Sequence, residues 1–207
     1  MPAHPHVKSG RQRGSAMIEL ALSLTVAFPL LLGVGAVGLR LGRTLQATQL
    51  TRDVAHMYAM GADFSLTGTQ AIAGTLSRDF NLTGTGRAVL LFSTIFRVQQ
   101  TDCTAAGLQT CPNLNLPVFT QRIAIGNTSL RTSAFGTPAA TYIGSDGDIT
   151  SVNYCQQTSL VAAGFDSVLL LASGQSSTVV EGYFDMPDIN FLGFPNTGGG
   201  YYVRFLF

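Results

Sequence analysis

Ser15–Leu39 reads SAMIELALSLTVAFPLLLGVGAVGL, and from Leu20 to Leu39 it holds no charged residue. At the helical rise that run spans about 30 Å, the thickness of a bilayer's hydrocarbon core. It therefore reads as a membrane helix. A secretory signal would have a shorter apolar stretch followed by a small-x-small cleavage site. Here the apolar run is long and continues into Arg40-Leu41-Gly42-Arg43, which favours a retained anchor. Pro29 has no N–H for the helix ladder and is expected to kink the span. Gly38 and Gly42 are four apart, a spacing that lets another helix approach closely.

The flanks add two features. Residues 1–14 read MPAHPHVKSGRQRG and carry Lys8, Arg11 and Arg13. Arg40, Arg43 and Arg52 follow the span, so the positive-inside rule is near a tie and does not set orientation. Glu19 sits inside the apolar segment near its start. An ionisable group in a membrane helix is costly and points to function unless it lies at headgroup level.

Arg13-Gly14-Ser15-Ala16-Met17-Ile18-Glu19-Leu20 resembles the processing site of type IV pilin-like proteins. That resemblance implies a prepilin peptidase cut between Gly14 and Ser15 on the cytoplasmic face. Glu19 then becomes the fifth residue of the mature chain. More closely, residues 11–65 resemble the TadE/TadG-like family of the tight-adherence (Flp-type) pilus. Arg13-Gly14, Glu19, Phe28-Pro29-Leu30-Leu31-Leu32, Thr51–Gly61 and Asp63-Phe64-Ser65 carry that likeness. Leu20 stands where Phe is usual in the family, and the region of Gly38-Leu39-Arg40 lacks its common acidic residue. The resemblance implies a minor pilin or pseudopilin in the bacterial cytoplasmic membrane, single-pass, with its C-terminal part outside the cytoplasm. Its partners would be the membrane, prepilin peptidase, other pilin or pseudopilin subunits and the assembly machinery. The alternative is an unprocessed, membrane-anchored exported binding domain.

Beyond the anchor, Leu50, Val54, Met57 and Gly61 recur at helical spacing, with Arg52, Asp53 and His56 off that line. One helix from Ser15 to a C-cap at Gly61 would be about 70 Å long. A second helix is expected over Thr69–Phe80, with Ala71, Ile72, Leu76 and Phe80 buried. Then the period changes. Arg87–Gln99 and Pro117–Gly126 read as strands joined by a long loop, with further strands expected at 166–172, 177–185 and 200–207. The last of these is expected within the sheet. Ser145-Asp146-Gly147-Asp148 marks a turn. The fold class is α+β: a long N-terminal helix on a mostly antiparallel sheet, pilin-like in plan. The expected parts are a cleaved leader at 1–14, a transmembrane helix at 15–39, a helix extension and connector at 40–68, and an exported α+β domain at 69–207. Without leader and anchor about 150 residues remain, enough for one core.

A net charge of +1 gives no broad attraction to nucleic acid. Charged residues are only 11% of the chain, a deficit the apolar segment largely explains. Cys103 and Cys111 flank a short polar loop and are candidates for a disulfide in an oxidising compartment, with Cys155 left over and buried. No Cys-x-x-Cys and no nearby histidine support zinc, so no metal and no cofactor is expected. No nucleophile elbow, P-loop or His-Glu-x-x-His is present, and the reading is of a non-enzyme. His4 and His6 fall in the leader, and His56 reads as a surface or packing residue. Asp146 and Asp148, with Asp185 and Asp188, read as loop carboxylates. Asp146-Gly147-Asp148 lacks the spacing of a calcium loop.

Overall fold

The protein is described from a computed structural model covering residues 12–77, 80–186 and 199–207. Lys8, Arg11, His4, His6, Asp188 and Gly198 lie outside the described residues. The elements are α1 (Gln12–Ala59), α2 (Thr67–Leu76), β1 (Ala88–Arg97), α3 (Gln100–Ala105), β2 (Pro117–Gly126), α4 (Ser151–Gln156), β3 (Ser176–Phe184) and β4 (Tyr201–Leu206). The layout is α+β, with a long apolar N-terminal helix and a small antiparallel sheet.

Residues 12–43 of α1 belong to one unit. Its apolar side chains from Met17 to Leu41 are exposed apart from the half-buried Leu32 and Ala36, and Pro29 lies within the helix. Among the described residues, α1 is the one helix long and apolar enough to cross a membrane.

The other unit begins at Thr44 and holds the rest of α1 together with the sheet. Here α1 buries Ala47, Leu50, Thr51, Val54, Ala55 and Tyr58, the i, i+3, i+4, i+7 stripe of a helix lying on a core. Gly61 ends the run with φ +89. Its N–H donates to the carbonyl of Tyr58 and that of Ala62 to Met57, so the last turn closes as a Schellman motif.

The sheet order is β2-β1-β3-β4, and every pairing is antiparallel. β1 and β2 are hairpin neighbours. The chain-terminal strand β4 joins the sheet on β3 as an edge strand. One face bears Leu90 and Phe92 of β1, Ile123 and Ile125 of β2, and Val180 and Phe184 of β3, and it packs with the α1 stripe in one core. Phe64 stacks on Phe92 with centroids 4.3 Å apart, and Tyr58 meets Phe92 edge-on at 5.3 Å. Gly182 permits this approach of helix to sheet. A Cβ there would lie 2.5 Å from Thr51 Oγ1 and 2.8 Å from the Phe184 ring.

A bulge divides β2. Thr94 faces Gln121 but Ile95 faces Phe119, so Thr120 is the extra residue. Its carbonyl accepts from Ile149 N–H at 2.8 Å. The slip puts Phe119 on the second sheet face with Arg122, where an irregular segment covers it. Ile95, Phe119 and Val179 pack there with Phe135, Ile149, Leu160, Phe165 and Leu171.

Two expectations are corrected. Residues 166–172 do not form a strand. Phe165–Ser167 is a 3-10 turn, and the amides of Val168 and Leu169 both return to the Phe165 carbonyl. With those amides bonded locally rather than to a strand partner, Leu171 joins Phe165 in the second core. On α2 the buried side is also different. Ala73, Ser77 and Phe80 are buried, whereas Ala71 is exposed and Ile72 and Leu76 are 47% and 43% exposed. Phe80 fixes the choice: it tilts against Phe184 at 4.6 Å, which brings Ala73 to the core.

Tyr58 is the polar member of the helix stripe. Its hydroxyl meets Thr94 Oγ1 at 2.9 Å and donates to Gln121 Oε1. Burial pushes its pKa up from 10.0 to about 12. The neutral phenol is thus favoured in the fold. That contribution is complete below pH 10 and is lost as pH rises through about 12. Tyr58→Phe is expected to cost about 1 kcal/mol at neutral pH. It is also expected to flatten the fall in stability across that alkaline window, as read by denaturant melts at several pH values.

Candidate functional site

The sequence-based candidates lie in two places. Gly14, Ser15 and Glu19 are all on the first turns of α1 and all exposed. Glu19 follows Ser15 by four residues and so shares its face of the helix. Leu20, Leu22 and Leu24 continue the exposed apolar surface beyond it.

Cys103 and Cys111 are joined by a disulfide that closes an eight-residue separation. Cys103 is on α3, whose start is held by a reciprocal capping box between Gln99 and Asp102. Cys155, on α4, is a buried free thiol. The three sulfurs lie within 4.8 Å of one another. Burial, with Asp102 adding to it, pushes the Cys155 thiol up. His56 is exposed on α1, its ring 6.3 Å from that of Phe207.

The loop carboxylates are engaged internally. Asp146 Oδ1 accepts from Asp148 N–H at 3.0 Å in an Asx turn, and Asp148 Oδ1 accepts from Gln121 Nε2 at 2.7 Å. Gly147, at φ +85, lets this turn lie on β2, where its carbonyl accepts from Arg122 N–H at 2.8 Å. Asp185 pairs with Arg87 at 3.0 Å on the surface.

One charged constellation was not singled out from the sequence. Arg122 of β2 and Glu181 of β3 are 8% and 2% exposed, on the sheet face away from the α1 stripe. Arg122 Nη1 donates to Ser93 Oγ at 2.5 Å and lies 4.0 Å from Glu181 Oε2. Glu181 accepts three further bonds. They come from the Ser133 hydroxyl, Ala134 N–H at 2.9 Å and the Tyr202 hydroxyl at 2.6 Å. Burial pulls the Arg122 guanidinium down, and Glu181 opposes that shift. Burial and the bond to Glu181 push the Tyr202 phenol up. Arg131 covers the Tyr202 ring at 4.2 Å. The signal lay in TVVEGYF, where a single acid interrupts an otherwise apolar strand, opposite an arginine at the centre of PVFTQRIAIG.

With five polar groups converged on it, this centre is built as a clamp. It ties β2, β1, β3, β4 and the Ser133 segment together, and its carboxylate has no open side for a ligand. Of the grooves on the sheet-bearing unit, one of about 520 Å³ runs between α1 and α2 past Gln49, Leu50, Asp53 and Leu76. Another, of about 570 Å³, is lined by Gln70, Ser77, Asn81 and Ile125. Among the described residues, the first is lined by one carboxylate, Asp53, and the second by no titratable group.

Glu181→Ala strips Arg122 of its counter-charge and leaves Tyr202 and Ser133 without their acceptor. The expected loss is about 3–5 kcal/mol. An Arg122→Met, Glu181→Leu double variant is expected to lose less than the sum of its singles. Tyrosine fluorescence during denaturation reports both, as the chain contains no Trp. No known protein family, curated protein or solved structure matches this chain.

Proposed function

We propose that this protein is a membrane-anchored, pilin-like subunit or assembly component of a tight-adherence-type pilus or related secretion system, processed between Gly14 and Ser15. One observation carries this reading. The helix Gln12–Ala59 has an exposed apolar stretch bearing a lone carboxylate one turn after Ser15, and its later residues supply one wall of the core of an α+β domain.

The physics of assembly follows from that arrangement. Processing exposes an α-ammonium at Ser15 beside an apolar helix. In lipid, that charge and the Glu19 carboxylate are both expensive. Pairing the ammonium of one subunit with Glu19 of its neighbour offsets both costs. It also fixes the axial register of adjacent helices, the role for which buried polar pairs are best attested. The domain would then be carried at a set height along the bundle.

Two linked measurements test this. Intact mass of the protein from host membranes is expected to show a chain starting at Ser15. Glu19→Gln is expected to remain in the membrane fraction and be processed, yet fail to co-purify or crosslink with pilus subunits. A chain retaining residues 1–14, together with normal assembly of the Gln variant, would leave the anchored binding domain as the better reading.

A further inference from the structure

The sulfur cluster at the end of the sheet holds one more group than a structural disulfide needs. Cys155 lies with Cys103 and Cys111 inside a 4.8 Å triangle of sulfurs, and it is a thiol beside a disulfide. Val98 and Val118 wall the cluster, and both are fully buried. The cross-link alone does not create this convergence. Asn113, two residues after Cys111, is fully buried, and its Nδ2 donates to the carbonyls of Tyr154 and Gln157, each at 2.8 Å. Its backbone N–H reaches the Cys155 carbonyl at 3.3 Å. The same carbonyl lies 3.7 Å from Cys111 Sγ. Hydrogen bonds therefore hold the Cys111 loop on α4, whichever sulfur Cys111 is bonded to. On the other side, Asn115 N–H donates to the Val98 carbonyl and Val98 N–H to that of Leu116, which fixes the loop to the end of β1, next to α3.

We infer that the three cysteines form an internal thiol–disulfide exchange site in which Cys111 is the shared partner of Cys103 and Cys155. In the step, the Cys155 thiolate attacks Cys111 Sγ. The Cys111–Cys155 bond forms as the Cys103–Cys111 bond breaks. Cys103 leaves as a thiolate and takes up a proton equivalent to the one Cys155 gave up. One disulfide and one thiol are present before and after, so no outside oxidant or reductant takes part. Attack at Cys111 rather than Cys103 follows from the scaffold, because Cys111 is the sulfur whose loop is bonded to α4. Exchange replaces a bridge across eight residues with one that links the hairpin loop to α4, 44 residues away in sequence. The groups facing Cys155 that bear on its ionisation are Asp102 of α3 and Tyr154 beside it on α4. Its burial shields it from thiol reagents in bulk solution while leaving it in reach of the neighbouring disulfide.

The test uses the full chain purified in detergent, with acid quenching, alkylation and peptide mapping. Wild type held at mildly alkaline pH without redox reagents is expected to acquire alkylation at Cys103. The rate at which that label appears should rise about tenfold per pH unit while the thiolate is the minor form. Cys103→Ser, oxidised in air, is expected to lose both remaining free thiols to an intramolecular Cys111–Cys155 bridge. Cys155→Ser is expected to keep the Cys103–Cys111 bridge at every pH. The inference is overturned if label in wild type stays on Cys155 alone and the Cys103→Ser chain retains two free thiols or spends them only in intermolecular dimers.

Discussion

A single helix here has to satisfy two environments. From Gly14 to Leu41 most of its apolar side chains are exposed, and from Thr44 onward the same helix buries one stripe in a protein core. The stripe from Ala47 to Tyr58 is the constraint on which the domain depends. It sets which face of β1 must be apolar, and why β3 carries Gly182 opposite Thr51. It also explains why the turn at Gly61 must close sharply enough to bring Phe64 onto Phe92. Buried side chains such as Leu50, Val54 and Phe92 each contribute about 1.5–3 kcal/mol. A shift of the helix by one residue would turn Arg52 or Asp53 toward that core.

The second sheet face solves a different problem. It has no long helix to cover it, so residues 127–175 do so with turns and short helices. Such a cover lacks a regular hydrogen-bond ladder and needs fixed points. Arg122 and Glu181 provide one, with Glu181 accepting from the Ser133 hydroxyl and the Ala134 amide and reaching Tyr202 on the edge strand. The disulfide and Asn113 provide another at the far end, beside α4. Buried ion pairs are poor sources of net stability, and specificity of arrangement is the better account of this one. It selects one seating of an irregular segment among many of similar apolar area.

The parts of this architecture that were legible in the sequence are those with a regular spacing or a long run of one character. The extension to Gly61 and strand β2 follow from helical and alternating spacing, the long apolar helix from an uncharged run, and β1, β3 and β4 from runs rich in β-branched and aromatic residues. The segment at 166–172 was misread because an apolar run without alternation does not say whether a strand partner exists. That depends on where the backbone amides go, and those of Val168 and Leu169 return to the Phe165 carbonyl. The face of α2 was misread because Ala71, Ile72 and Leu76 compete with Ala73 and Phe80, and only the contact with Phe184 decides between them. Of the candidate residues, Glu19 and the cysteines stood out by type and position. Glu181 did not, because a lone acid in a strand acquires meaning only once register sets Arg122 and Tyr202 around it.

The central claim is that the helix residues before Thr44 lie in lipid while those after it build the domain. Alkaline carbonate extraction of host membranes, with protease added to the outer face of spheroplasts, tests it most directly. The account expects the chain to stay in the carbonate-washed pellet, and outside protease to remove the sheet-bearing part while leaving a membrane-embedded fragment containing Leu20–Leu39. Release of the intact chain into the carbonate supernatant would contradict it.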